Sequence, residues 1–148
     1  MRYQRTKSSC GSAALANALE CLGIRRTEDE LAVLCKQTPE GTTATNLRNA
    51  IATLEGLRNT VIDEARADVG LLRVLQALYE GRPVICCVAT QQPWDHWAVA
   101  GGVLGFGQRI VCIDSGDNDL VKTRSLDEFV NWWKGPEQAK KPFWGVVV

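Results

Sequence analysis

The sequence has a single histidine, a single methionine and no apolar stretch long enough to cross a bilayer. No membrane segment is expected from it. A basic stripe is also missing: Lys plus Arg and Asp plus Glu number 17 each, and the longest basic runs are the pairs Arg25-Arg26 and Lys140-Lys141. Nucleic-acid binding, which needs a concentrated positive face, is not expected either. The six cysteines, at 10, 21, 35, 86, 87 and 112, include no CxxC and show no disulfide-framework spacing. They read as reduced thiols of a cytoplasmic protein. No metal or cofactor is expected, since Cys86 and Cys87 in a strand would aim their thiols at opposite faces. Arg2, Arg5 and Lys7 before an alanine-rich stretch mimic a secretion signal, but Asn17 and Glu20 interrupt that stretch.

What is present is enough for a core. With 148 residues, 45% of them hydrophobic, one domain over 1–148 would bury about 70% of its unfolded surface. The first half has helical period. Leu15, Ala18, Leu19 and Leu22 share one face, with Ser8 or Ser9 as cap and Gly23 as stop. Thr27 to Glu30 is a capping box opening a second helix. Leu47 to Leu54 and Leu71 to Leu78 mark two more, ending near Gly56 and Gly81. The second half changes period. Runs 84–89, 96–103 and 109–114 read as strands, the last two joined at Gly105-Phe106-Gly107. A short strand near 120–123, a helix capped by Ser125 and Glu128, and a closing strand 143–148 complete the chain. Helices first and an antiparallel sheet second make an α+β fold.

Cys10 stands apart from the other cysteines. It lies at the start of its helix, before the apolar stripe, and is followed by Gly11 and Ser12. A helix N-terminus favours the thiolate, the reactive form of a thiol. Gly11 would let a substrate carbonyl approach the backbone. A thiol nucleophile needs a base, and His96 is the one imidazole on offer. Strand alternation sends Trp97 to the opposite face, into the core, and Asp95 with it. Pairing of the two strands about Gly105 puts His96 directly opposite Asp114, with Cβ atoms about 5 Å apart, where a carboxylate would orient the ring. Asp117 and Asn118 take its place if the register differs. Gln4 precedes Cys10 by six residues and can join its N–H as a second donor to an oxyanion. Trp94, just before His96, is the tryptophan expected to touch substrate.

Together Gln4-x5-Cys10-Gly11-x-Ala13, His96-Trp97-Ala98-Val99 and Asp114 resemble the bacteriocin-processing, double-glycine leader peptidases, a papain-like, peptidase C39-like family. The loop 38–42 and the helix from Ser125 to Trp133 resemble it too. The resemblance implies a papain-like cysteine peptidase fold and a thiol protease in which Cys10 is nucleophile, His96 base, Asp114 orienting acid and Gln4 oxyanion donor. The partner implied is a peptide or protein substrate. Two other outcomes use the same fold: acyl transfer to an amine, and peptide binding without cleavage.

Overall fold

The computed structural model describes residues 1–89, 96–134 and 142–148. Its elements are α1 (Cys10–Cys21), α2 (Glu28–Leu34), α3 (Ala44–Thr53), β1 (Thr60–Glu64), α4 (Ala67–Tyr79), β2 (Val84–Val88), β3 (His96–Leu104), β4 (Arg109–Ile113), β5 (Val121–Ser125), α5 (Leu126–Trp133) and β6 (Phe143–Val147). The strands form one antiparallel sheet in the order β1-β6-β2-β3-β4-β5.

Helices cover both faces of this sheet. On one face α1, α2 and α3 bury Leu15, Leu19, Leu31, Leu47 and Ile51 against Ile85, Trp97, Val99, Ile113 and Val146. On the other, Val74 and Leu78 of α4 and Phe129 and Trp133 of α5 meet Val84, Cys86, Ala98, Ala100 and Cys112. The alternate residues of β2 and β3 therefore go to two different cores, which is why both strands read as unbroken apolar runs. Each fully buried large side chain contributes about 1.5–3 kcal/mol. Both expected capping boxes form, Thr27 with Glu30 and Ser125 with Glu128.

Three expectations need correction. The start of α1 is not capped by a serine side chain: Ser9 is the N-cap residue, but its hydroxyl turns back to donate to Thr6 O and accept from Thr6 N, both at 3.0 Å. Second, the stretch between the helix ending near Gly56 and the one from Leu71, where no element is expected, holds a strand at 60–64. It alternates exposed and buried positions with only Ile62 fully inside, as an edge strand does, so its apolar signal is faint.

The third correction concerns the β3–β4 register. The turn is one residue longer than a pairing about Gly105 allows, because Gly105, Phe106 and Gly107 all adopt positive φ and Leu104 pairs with Arg109. A bulge between Ala100 and Gly102 then shifts the ladder, so that Val99 pairs with Ile113. One residue on, past the end of β4, this brings Asp114 beside Ala98 and not directly opposite His96.

Candidate active site

Cys10 opens α1, whose residues from Cys10 to Leu19 are all buried. Because the Ser9 hydroxyl is engaged with Thr6, no side chain caps the helix, and its first N–H groups are left without a side-chain acceptor. His96 opens β3 and is 9% exposed. Its Nε2 donates to Asp114 Oδ1 at 2.6 Å, and Cys10 is near enough to the ring to shift its titration. Burial works to lower the His96 pKa, but the bond to Asp114 and the negative charges of Asp114 and Cys10 outweigh it and hold the imidazole up at about 9. The chain's one imidazole is thus a cation at neutral pH, between a carboxylate and a thiol.

Asp114 follows the last residue of β4 and starts a tight turn. Its Oδ1 also accepts from Gly116 N at 3.0 Å, and its own N–H donates to Leu120 O at 2.9 Å. Of the alternatives, the Asp117 carboxylate is occupied elsewhere, accepting Lys122 Nζ on both oxygens at 2.8 Å, and the backbone carbonyl of Asn118 accepts from the Tyr3 hydroxyl at 3.1 Å.

Gln4 reaches the same place from the N-terminal arm. Its backbone N–H donates to Ser115 O at 3.1 Å, and its side-chain Oε1 accepts from Ser115 Oγ at 3.2 Å. A Cβ built on Gly116 would lie 3.0 Å from His96 Cε1 and 3.3 Å from Gln4 Oε1, so the two side chains close on one spot. The arm is pinned by the fully buried Asn17, which accepts from Arg2 N at 2.7 Å and donates to Arg2 O at 3.0 Å. Arg5 fastens it to α2 through Asp29 at 2.8 Å and the buried Glu28 at 3.7 Å. Sequence reasoning missed Ser115 and Asn17, because a serine in a turn and an asparagine in a helix carry no signal until the arm lies beside them.

Gly11 has a packing reason for being glycine besides the one expected. A Cβ there would stand 2.6 Å from Thr42 Cβ, so the side-chain position is filled by Thr42. Trp94 and Asp95 lie outside the described residues. Trp97 is 5% exposed and packs edge-on against Trp144.

Four of the other five thiols are held away from reactivity. Burial pushes Cys35 and Cys112 up to about 12, and pushes Cys86 well above the usual thiol range. Cys21 is raised as well, chiefly by burial. Among the described residues, no helix is long and apolar enough to cross a membrane, and no three His, Cys, Asp or Glu gather to hold a metal ion.

A family described as Peptidase_C39 like matches residues 1–140. The lactococcin-A transport/processing ATP-binding protein LcnC of Lactococcus lactis subsp. lactis is 29% identical over 133 residues, which are 89% of this chain and 17% of that protein. A second Lactococcus lactis protein, LcnC-like, is 30% identical over the same share of each. The chain thus spans about a sixth of the length of the curated relatives it matches (17%). Among solved structures, the peptidase domain of Streptococcus ComA, a bi-functional ABC transporter involved in a quorum sensing pathway, is similar with a TM-score of 0.75. Identity there is 22%, over 98% of this chain and 93% of that one. A double glycine motif protease from an AMS/PCAT transporter, in complex with the leader peptide, is similar with a TM-score of 0.69 at 17% identity, over 98% and 86%. The fold is the α+β, papain-like fold of these domains.

Proposed function

Because the chain belongs to the peptidase C39-like family and is a cysteine peptidase, we propose that it cleaves a peptide bond with Cys10 as nucleophile, His96 as acid and base, Asp114 as orienting carboxylate and Gln4 as oxyanion donor. The observation that carries this reading is the His96 ring, bonded to Asp114 at 2.6 Å and held up in pKa by Asp114 and Cys10 together, beside an uncapped helix N-terminus.

The steps follow from the charges. The Cys10 thiolate attacks the scissile carbonyl carbon, and a C–S bond forms as the carbonyl electrons move to oxygen. The Cys10 N–H and the Gln4 NH2 receive that oxyanion. The His96 imidazolium gives its proton to the amine nitrogen, the C–N bond breaks and the amine leaves. In the acyl-enzyme the thiol sulfur is a thioester, so the charge that Cys10 lends to His96 is gone. The imidazole then falls toward its ordinary range, where it is an effective base. It takes a proton from water, the hydroxide attacks the thioester, and the C–S bond breaks to return thiolate and imidazolium. Asp114 holds the ring's orientation throughout.

The substrate we propose is a peptide with two small residues before the scissile bond, supported by the double glycine motif protease among the similar structures. The site works as one unit over 1–148 in a reducing, cytoplasmic setting, where Cys10 stays a thiol. Digestion of a peptide library, with and without a Gly-Gly pair, by the wild type and by Cys10→Ala tests this. Cleavage after the pair by the wild type alone supports it. Equal cleavage by Cys10→Ala, or formation of amine adducts in place of free acid, contradicts it.

A further inference from the structure

The loop 38–42 touches neither Cys10 nor His96 in any bond described above, yet it touches the chain neighbour of each. Thr42 Cβ sits where a side chain on Gly11 would be, with its Oγ1 and Cγ2 at 3.0 and 3.2 Å from the same point. On its other side Thr42 O accepts the indole N–H of Trp97 at 2.9 Å, a buried bond across 55 residues of sequence. Gly11 follows Cys10 and Trp97 follows His96. A second tie lies one residue on, where Ser12 Oγ is 2.7 Å from Gln37 Oε1 at the base of the loop. The loop itself is stiff: Thr38 N donates to Gly41 O at 3.0 Å and Gly41 N to Thr38 O at 2.9 Å, and Thr43 caps α3 by accepting from Asn46 N at 3.2 Å.

From this we infer that Thr42 is a positioning residue: through its Cβ on Gly11 and its carbonyl on Trp97 it sets the separation of Cys10 and His96. The inference rests on the reaction proposed above. It uses two features of Thr42 and not a third. The Thr42 hydroxyl is buried and meets no partner among the described residues, so its polarity is not what the position requires. The Cβ and the carbonyl are. Two elements meet here, the start of α1 and the start of β3, and no backbone ladder joins them. Without a strut the gap between thiol and imidazole would depend on side-chain packing alone. A misplacement of about 1 Å in a catalytic pair can cost on the order of a hundredfold in rate.

Because the chain has one histidine, one imidazole Cε1–H resonance reports on His96, whatever the protein does to peptides. The groups facing that ring are Cys10 from α1 and Asp114 from the end of β4, with Gln4 Oε1 nearby across Gly116. Trp97→Phe removes the N–H donor and keeps an aromatic ring. Gly11→Ala drives a methyl into Thr42, and Gly11→Ala/Thr42→Gly makes room for it. The expected result is a loss in kcat of about tenfold for Trp97→Phe and about a hundredfold for Gly11→Ala, with KM little changed. In both, the His96 titration midpoint should fall from near 9, and the double variant should recover at least about tenfold in kcat with the midpoint. Should the wild type cleave no peptide while the midpoints move this way, the strut stands and the proposed reaction falls. Native midpoints and native kcat in folded Trp97→Phe and Gly11→Ala, or a folded double variant no better than Gly11→Ala, would overturn the strut.

Discussion

His96 Nε2 and Asp114 Oδ1 lie 2.6 Å apart on a diagonal: the β3–β4 ladder ends with Val99 opposite Ile113, so Asp114, the next residue along, falls beside Ala98 and reaches back to the ring of His96. Diagonal neighbours are within reach of long or aromatic side chains. The contact depends on the bulge between Ala100 and Gly102, because an unbroken ladder from Leu104 and Arg109 would set Asp114 opposite Val99, on the other face. Asp114→Asn keeps the shape and removes the charge. It should lower kcat by at least about tenfold and lower the His96 pKa. Asp117→Asn should change neither, because that carboxylate is held by Lys122. Equal effects of the two substitutions, read from the single histidine resonance and from turnover, would remove Asp114 from the pair.

Gln4 is held by Ser115 through its carbonyl end, which in the proposed reaction leaves its NH2 free to meet the oxyanion. Gln4→Ala should lower kcat by about a hundred- to a thousandfold, with KM and Tm nearly unchanged, since the donor acts on charge that appears only during reaction. Gln4→Glu should be at least as damaging, for it places negative charge where negative charge must grow. Ser115→Ala should give a smaller loss, of about tenfold, by freeing the amide to rotate. Normal turnover in Gln4→Ala would show a glutamine that serves only the arm.

The His96 pKa also links folding to pH. Its folded value, about 9, lies above the ordinary 6.5, so the protonated ring stabilises the fold. That contribution is complete below the ordinary value and is lost as pH rises through the folded one. Denaturant unfolding at about pH 6 and about pH 9.5 should show the wild type losing stability across the interval, and His96→Gln losing less. Parallel losses in the two proteins would mean that His96 carries no such linkage.

Much of this site is legible in the sequence, and the parts that are not have physical reasons. Cys10 and His96 announce themselves by a helix start and by being the one imidazole. Asp114 is found despite a wrong register, because a longer turn and a bulge displace the ladder by an even number of positions and so keep its face. The bulge had a signal in Gly101-Gly102 within a strand. β1 had almost none, as only Ile62 of its five residues is buried. The packing reason for Gly11 could not be read at all, since Thr42 reaches it from 31 residues away. Trp97 is a core residue by alternation, but its bond to Thr42 O belongs to tertiary structure.

The most direct test of the account is competition among the six cysteines for iodoacetamide at mildly acid pH, followed by peptide mapping and by assay of cleavage. Burial holds Cys35, Cys86 and Cys112 far above that pH, and Cys21 is raised too, whereas Cys10 has an imidazolium beside it. Cys10 should be alkylated first, and peptide cleavage should disappear in step with it. Labelling of the other cysteines at the same rate, or full cleavage after Cys10 is alkylated, would contradict it.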